Sequence, residues 1–216
     1  MNKKIEKISL DSIAEFLPAN PIIIEAGANI GRDSIKIAKK WPLAKIYSFE
    51  PVPELYEKLV SATSGYSNIK TYKIALCDKA GKTTFNVCEN IGAISSLLKP
   101  EEILEKFSNA KFIDTEIDCT TLDQWAKENK IERVDFMWLD LQGVELLVLK
   151  NSPQIMSSVK AIHIEVNLTQ RYKNMTLYPE IKSWMEDQGF YVAQESLHHV
   201  TWGDVLFVRS NLSMPN

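Results

Sequence analysis

The feature that most constrains this chain is a regular alternation of short apolar runs and amphipathic stretches in its first third. The β-branched run of residues 21–25 predicts a buried strand, and residues 32–40 carry one apolar side, as a helix does. The same order repeats, with a strand predicted over residues 45–50, a helix over 53–63 and a strand over 69–76. Two consecutive strand–helix–strand units need crossovers over a face of the sheet, so the sequence predicts a parallel sheet.

Strand and helix alternate again in the second half of the chain. Residues 134–140 and 161–166 are predicted strands, and helices are predicted over residues 144–150 and 178–188. Two last strands are predicted within residues 190–208, and a loop rather than a helix joins them. We therefore expect these two strands to be antiparallel.

The domain organisation follows from length and from what interrupts the alternation. Residues 82–119 predict an insertion made of strand, loop, helix and strand, and residues 1–19 predict a short N-terminal helical segment. We find no internal repeat, low-complexity segment or linker. A chain of 216 residues fits one domain, so we expect a single domain over residues 1–216.

Acidic residues end the predicted strands. Glu25, Glu50, Asp140 and Glu165 each stand at the carboxyl end of one of them. In an open α/β sheet, ligands bind at this edge, close to the point where the strand order switches. Four carboxylates on one edge repel one another unless ligands or donors offset them, so the edge is the predicted site.

The turn after the first strand indicates which cofactor this edge accepts. In Glu25-Ala-Gly-Ala-Asn-Ile-Gly31, Gly27 permits a tight turn, and a helix N-terminus with free N–H groups follows. A dinucleotide fingerprint needs G-x-G-x-x-G, and Asn29 and Arg32 occupy the positions of its later glycines. A positively charged cofactor without phosphates fits this turn better.

Glu50 narrows the choice of cofactor. An acid at the end of the second strand accepts two hydrogen bonds from a ribose diol, as in dinucleotide sites. A nucleoside that lacks phosphates and carries a cationic group describes S-adenosylmethionine. From the residues we therefore expect Glu25, Gly27, Asn29, Gly31 and Glu50 to bind this cofactor.

A set of motifs in fixed order resembles a known family. In chain order they are Glu25-Ala-Gly-Ala-Asn-Ile-Gly31, Phe49-Glu50-Pro51, Ala75-Leu76, Ser95-Ser96-Leu97, Thr121-Leu122-Asp123, Leu139-Asp140-Leu141-Gln142-Gly143-Val144-Glu145 and Ile164-Glu165-Val166. They are similar to the motifs of FkbM-type methyltransferases, a branch of the class I S-adenosylmethionine-dependent enzymes. The resemblance covers nearly the whole chain.

The resemblance implies a fold and a cofactor site. The fold is α/β and Rossmann-like, with a seven-stranded, mostly parallel sheet, an antiparallel last strand and helices on both faces. Pro51, Ala75 and Asp140 join the expected cofactor-binding residues. The family usually has aspartate at Glu25, which keeps the charge, and glutamate at Gln142, so this chain lacks one acid there.

Methylation of a hydroxyl requires a base, because a hydroxyl is a poor nucleophile until it loses its proton. Asp140 is the first candidate and Glu165 the second. His198, in the last loop, titrates near neutral pH and is the third. Asp140, Glu165 and Asn167 also form a set of oxygen ligands of the kind that suits Mg²⁺, although no matching metal motif accompanies them and we expect no metal.

The acceptor is expected to be a hydroxyl on a sugar or a secondary metabolite, or on a glycan. Trp202 and Tyr172 are the aromatic residues that we expect to contact it. Two alternatives stay open: a nicotinamide-dependent oxidoreductase, and a methyltransferase-like binding domain without activity. The missing dinucleotide fingerprint speaks against the first, and Glu25 and Glu50 speak against the second.

Composition and charge exclude several classes of partner. The net charge is −3, from 25 basic and 28 acidic residues without a basic run, so we expect no nucleic-acid partner. No apolar stretch approaches the roughly 20 residues that a membrane-spanning helix needs, and acids interrupt any signal-like core at the N-terminus. A cytoplasmic location is expected, and a homodimer is compatible with the sequence.

Overall fold

The computed structural model describes residues 7–197 and 199–210. Along the chain, its strands, helices and one 3-10 turn are α1 (Leu10–Ala14), β1 (Ile22–Ala26), α2 (Arg32–Lys40), β2 (Lys45–Phe49), α3 (Pro53–Thr63), β3 (Ile69–Tyr72), β4 (Ala75–Leu76), β5 (Gly81–Cys88), a 3-10 turn (Gly92–Ile94), α4 (Ile103–Lys106), β6 (Phe112–Thr120), α5 (Leu122–Glu128), β7 (Phe136–Leu139), α6 (Glu145–Lys150), α7 (Pro153–Met156), β8 (Ala161–Asn167), α8 (Tyr178–Asp187), β9 (Phe190–Ser196) and β10 (Trp202–Arg209).

The main sheet has seven strands in the order β3-β2-β1-β7-β8-β10-β9. The pairs from β3 through β8 are parallel, and β10 is antiparallel to both β8 and β9. This confirms the predicted fold class, including the antiparallel last strand. The strand order reverses between β1 and β7, which is where a ligand is expected to bind in a sheet of this type.

Helices cover both faces of the main sheet. On one face, α1 and α2 pack against the sheet through buried residues that include Ile13 and Ile37. On the other face, α5 to α8 pack through a larger apolar cluster that includes Trp125 and Met185. The apolar run of β7 faces both clusters, because Phe136 belongs to the first and Met137 to the second.

Local sequence explains where several helices begin. Thr121 caps α5, since its hydroxyl accepts a hydrogen bond from the backbone N–H of Gln124 at 3.1 Å. Pro53 stands in the first turn of α3, where its missing N–H costs nothing. Helices α2 and α3 have the predicted bounds.

The prediction of one strand over residues 69–76 is wrong. β3 ends at Tyr72, and Ala75 and Leu76 form β4, which pairs with β6 in a separate three-stranded sheet of order β4-β6-β5. The physical reason is burial: Ala75 packs in an apolar cluster with Phe85 of β5 and Ile117 of β6. The two longer strands of this second sheet, β5 and β6, stand at the two ends of the segment that the sequence predicts as an insertion.

Within residues 7–197 and 199–210, no helix has the combination of length and apolar character that a bilayer crossing requires.

Replacing Phe136 by alanine tests the packing of β7, the strand that carries Asp140 at its end. Phe136 is fully buried and its ring lies 6.2 Å from that of Trp41. We expect Phe136→Ala to lower the free energy of unfolding by about 3–5 kcal/mol, because it removes buried apolar surface and leaves a cavity. Urea unfolding followed by circular dichroism measures this change.

Leu43→Ala is the matched control, since Leu43 is 72% exposed. It should change stability by less than about 0.5 kcal/mol. A loss below about 1 kcal/mol in Phe136→Ala would contradict the packing described for β7.

Candidate active site

An open cavity lies at the carboxyl edge of the main sheet, between that edge and the second sheet. Six residues that the sequence predicts to bind a cofactor line it: Gly27, Asn29, Glu50, Pro51, Ala75 and Asp140. We call it the first cavity.

The turn after β1 is held close to β7 and β2. Gly27 has φ 86°, and a Cβ built on it would lie 1.9 Å from the carbonyl oxygen of Asp140. Only glycine therefore fits between these two strands. The backbone N–H groups of Gly27 and Ala28 both donate to the carbonyl oxygen of Phe49, at 3.1 and 2.9 Å.

Glu50 lies at the base of the first cavity with both oxygens engaged. Its Oε2 accepts from the backbone N–H of Asn29 at 2.8 Å, and its Oε1 accepts from that of Val52 at 2.9 Å. Burial raises the pKa of Glu50 to about 7, against the lowering effect of these two hydrogen bonds. A carboxylate accepts about four hydrogen bonds, so capacity remains for a ligand.

Glu25 and Gly31 are placed differently from the prediction. The Glu25 carboxylate accepts from the hydroxyls of Ser34, at 2.5 Å, and Ser48, at 2.6 Å, and neither it nor Gly31 is among the described residues that line the first cavity. Gly31 begins α2, where a Cβ would lie 2.9 Å from Leu59 Cδ1 of α3. Both residues fix α2 in place, and this placement does not support direct contact with a cofactor.

Asp140 and Glu165 are brought together by Gln142. The Gln142 amide nitrogen donates to Asp140 Oδ1 at 2.6 Å and to Glu165 Oε1 at 3.0 Å. Burial raises the pKa of Asp140 to about 6 and, with help from the charge of Asp140, that of Glu165 to about 9. The amide at position 142 thus lies between the two carboxylates.

The loop that carries this pair is ordered by Glu145. The Glu145 carboxylate accepts from the backbone N–H of Leu141 at 2.8 Å and from that of Gly143 at 3.1 Å. Gln142 lies between them in the left-handed region, with φ 53°. Glu145 is buried, and burial raises its pKa to about 7.

The Arg171 guanidinium lies beside Glu165 and Asn167, two of the three residues considered from the sequence as oxygen ligands of a metal. Arg171 Nη1 donates to Asn167 Oδ1 at 3.1 Å and lies 3.8 Å from Glu165 Oε1. In the part of the chain that the structure describes, no three His, Cys, Asp or Glu side chains are placed to hold a metal ion. Sequence reasoning missed Arg171, since no motif marks it.

A second cavity lies on the other side of Asp140. Trp138, His163, Glu165 and Trp202 line it together with Asp140, and Asp140 is the described residue shared by both cavities. Trp138 and His163 stack with their ring centroids 3.8 Å apart. Burial lowers the pKa of His163 to about 3, so its imidazole is neutral.

Two predicted acceptor contacts and the third candidate base have different outcomes. Trp202 lines the second cavity, and its contact with the acceptor stays a prediction. Tyr172 is fully buried, and its hydroxyl donates to the carbonyl oxygen of Ile94 at 2.8 Å, so the prediction that it contacts the acceptor is wrong. His198 lies outside the described residues.

Other residues of the first cavity come from outside the main sheet. Phe85 of the second sheet and Leu97 of the loop after it form part of the lining. Their apolar side chains close the side of the cavity that faces away from the main sheet. Leu97 belongs to the motif Ser95-Ser96-Leu97 of the resemblance, whereas Phe85, in a strand of the predicted insertion, carries no sign in the sequence that it covers a ligand site.

Solved structures share this architecture at low sequence identity. Methyltransferase FkbM from Methylobacillus flagellatus KT has a TM-score of 0.57 and 14% identity, over 88% of this chain and 44% of that chain. Aeropyrum pernix fibrillarin in complex with natively bound S-adenosyl-L-methionine has a TM-score of 0.51 and 15% identity, over 91% and 74%. The fold is therefore that of the S-adenosylmethionine-dependent methyltransferases.

Sequence comparison identifies the family. The chain is 28% identical to methyltransferase sdnD of Sordaria araneosa, over 83% of this chain and 77% of the relative. It is 24% identical to 2-O-methyltransferase NoeI of Sinorhizobium fredii, over 71% of this chain and 66% of the relative, so it spans about two thirds of NoeI. The methyltransferase FkbM domain matches residues 25–192. The protein belongs to the FkbM methyltransferase family.

The buried Glu25 makes stability depend on pH. Burial raises its pKa from 4.5 to about 7 in the folded chain, so between these values the unfolded chain loses a proton that the folded chain keeps. The free energy of unfolding therefore falls as pH rises through this window. In Glu25→Gln we expect the loss of stability between pH 5 and pH 8 to shrink by about 1–3 kcal/mol.

Urea unfolding at the two pH values measures this difference. Glu57→Gln, on an exposed position of α3, is the control and should keep the wild-type pH dependence. If Glu25→Gln lost as much stability between pH 5 and pH 8 as the wild type does, the raised pKa described for Glu25 would be contradicted.

Proposed function

We propose that this protein transfers a methyl group from S-adenosylmethionine to a hydroxyl oxygen of a sugar, glycan or secondary-metabolite acceptor. The observation that carries the proposal is the position of Asp140, which lines both the first and the second cavity. One carboxylate thus lies where a donor in the first cavity and an acceptor in the second would meet.

The residues of the first cavity fit S-adenosylmethionine. Glu50 retains acceptor capacity for a ribose diol after its two backbone hydrogen bonds. Ala75, Leu76 and Phe85 provide apolar walls for a flat base. Asp140 adds negative charge, which favours a cationic group nearby.

The chemistry divides between the cofactor and the chain. When bound, S-adenosylmethionine supplies an electrophilic methyl group on a cationic sulfur. Asp140, with Glu165 beside it, accepts the hydroxyl proton of the acceptor, a contribution of about 10²–10⁴-fold to the rate. The rigid turns around Gly27 and Gln142 hold the two cavities in fixed relation, and such alignment lowers the barrier further.

The lining of the second cavity supports a hydroxylated acceptor. Trp138 and Trp202 contribute aromatic surface to its lining, and Asp140 and Glu165 offer hydrogen-bond acceptors. His163 is 4% exposed, and its Nδ1 has no hydrogen-bond partner among the described residues. The two carboxylates can accept hydrogen bonds from a ligand that carries several hydroxyls. The 2-O-methyltransferase name of NoeI agrees with an oxygen acceptor.

Binding of the cofactor is tested with S-adenosylhomocysteine. We expect wild-type protein to bind it saturably in a calorimetric titration, and Glu50→Ala to weaken binding by about 10–100-fold, since hydrogen bonds to a charged group are lost. Glu54→Ala, exposed in the first turn of α3, is the matched control and should bind as the wild type does. Absence of binding to the wild type, or equal binding to Glu50→Ala, would contradict the proposal.

Transfer is tested with methyl-labelled S-adenosylmethionine and a panel of sugars, glycans and hydroxylated secondary metabolites. We expect label on a hydroxyl oxygen, with a rate about 10²–10⁴-fold lower in Asp140→Asn. Parallel reactions with a chelator test the metal option, and reactions with RNA test the predicted absence of a nucleic-acid acceptor. Label found on RNA alone, or no transfer to any acceptor with cofactor binding intact, would overturn the proposed acceptor class.

A further inference from the structure

Asp140 and Glu165 form a carboxylate pair whose oxygens meet at a single nitrogen atom. The amide nitrogen of Gln142 has two hydrogens, and it lies 2.6 Å from Asp140 Oδ1 and 3.0 Å from Glu165 Oε1. Each hydrogen therefore has one carboxylate as its partner. The two oxygens are less than 6 Å apart by these distances, and two carboxylates so close resist being ionised together.

The orientation of the Gln142 amide follows from its surroundings. The opposite orientation would place the amide oxygen against two carboxylates. The carbonyl side instead faces the Tyr172 hydroxyl, with Gln142 Oε1 at 3.3 Å from it. The Gln142 backbone is fixed as well, because its carbonyl oxygen accepts from the Ser96 hydroxyl at 2.9 Å.

The two carboxylates differ in how strongly their ionised forms are stabilised. Asp140 receives the shorter hydrogen bond from Gln142. Glu165 lies 3.8 Å from Arg171 Nη1, beyond hydrogen-bond distance, and that nitrogen already donates to Asn167. Of the two acids, Asp140 thus receives the shorter hydrogen bond to its ionised form, whereas Glu165 has the longer one and no hydrogen bond from the guanidinium.

We propose that Gln142 is a positioning residue that makes Asp140 and Glu165 share one proton, which resides on Glu165 and leaves Asp140 ionised. The inference rests on the proposed function for the use of Asp140 as a base. An acid at position 142 would remove the donor and add a competing charge.

The pKa directions agree with this geometry. Burial raises the pKa of both acids, the hydrogen bond from Gln142 lowers that of Asp140, and the charge of Asp140 raises that of Glu165 further. The other charged groups that act on the pair include Asp33 of α2, Glu50 after β2, Glu145 of α6, Arg171 and Asp204 of β10.

The test is a pH titration of the unliganded full chain by ¹³C NMR, with label at the carboxyl carbons of aspartate and glutamate. Asp140→Asn and Glu165→Gln identify the two signals by their loss. In the wild type we expect the Asp140 midpoint below the Glu165 midpoint. In Gln142→Met, a similar shape without the donor, we expect the Asp140 midpoint to rise by about one pH unit.

Gln124→Met is the matched control. Gln124 also donates to a carboxylate, Glu128 Oε1 at 2.9 Å, but on the exposed side of α5. It should leave both midpoints unchanged. A wild-type Asp140 midpoint at or above that of Glu165, or an unmoved midpoint in Gln142→Met, would overturn the proposal.

Two arrangements keep the result decisive. The wild-type order of midpoints decides the proton's location even where Gln142→Met fails to fold. The titration needs no acceptor, so it tests the role of Gln142 independently of the methyl-transfer assay. If the midpoints are as expected but no acceptor is methylated, the role of Gln142 is supported and the proposed function is contradicted. With an acceptor in hand, the acidic limb of the kcat/KM profile should move upward in Gln142→Met by the same amount as the NMR midpoint.

Discussion

The site depends on the close approach of β1 and β7 at their carboxyl ends. The backbone N–H of Asp140 donates to the carbonyl oxygen of Ala26 at 3.0 Å, and the Asp140 carbonyl fills the space where a side chain on Gly27 would stand. Because the strand order reverses at this pair, the loops that follow the two strands diverge and leave room between them. A carboxylate at the end of β7 thereby lies between two cavities.

Acids at strand ends serve different purposes in this protein. Glu25 accepts hydrogen bonds from Ser34 and Ser48 and so ties α2 to the sheet. Glu50 accepts from two backbone N–H groups and still faces the first cavity. Asp140 and Glu165 instead meet across an amide. Buried acids are tolerated here because each has donors, although burial still raises their pKa values.

Much of the fold follows from local sequence. Amphipathic spacing and the proline at its start define α3, and apolar runs between turns define the parallel strands, so topology alone places Glu50 and Asp140 at one edge. β4 could not be predicted, because residues 69–76 have uniform β character and only contacts with the distant β6 divide them. Long-range packing overrides local propensity at such positions.

The candidate site was predictable by position but not by side-chain direction. The position of Glu25 at the carboxyl end of its strand is predicted correctly. The direction of its side chain depends on Ser34 of α2 and Ser48 of β2, whose hydroxyls donate to it. Tyr172 is likewise turned into the protein interior, where its hydroxyl donates to the carbonyl oxygen of Ile94, far away in sequence. Arg171 follows no motif and acts on the pair only through the folded loop.

Amide hydrogen exchange with and without S-adenosylhomocysteine tests the central claim most directly, that one cofactor binds where the ends of β1, β2 and β7 meet. The account predicts increased protection at residues 27–31, 50–52 and 140–143, with unchanged exchange in β9 at the far edge of the sheet. Protection confined to other segments, or no change at saturating ligand, would contradict it.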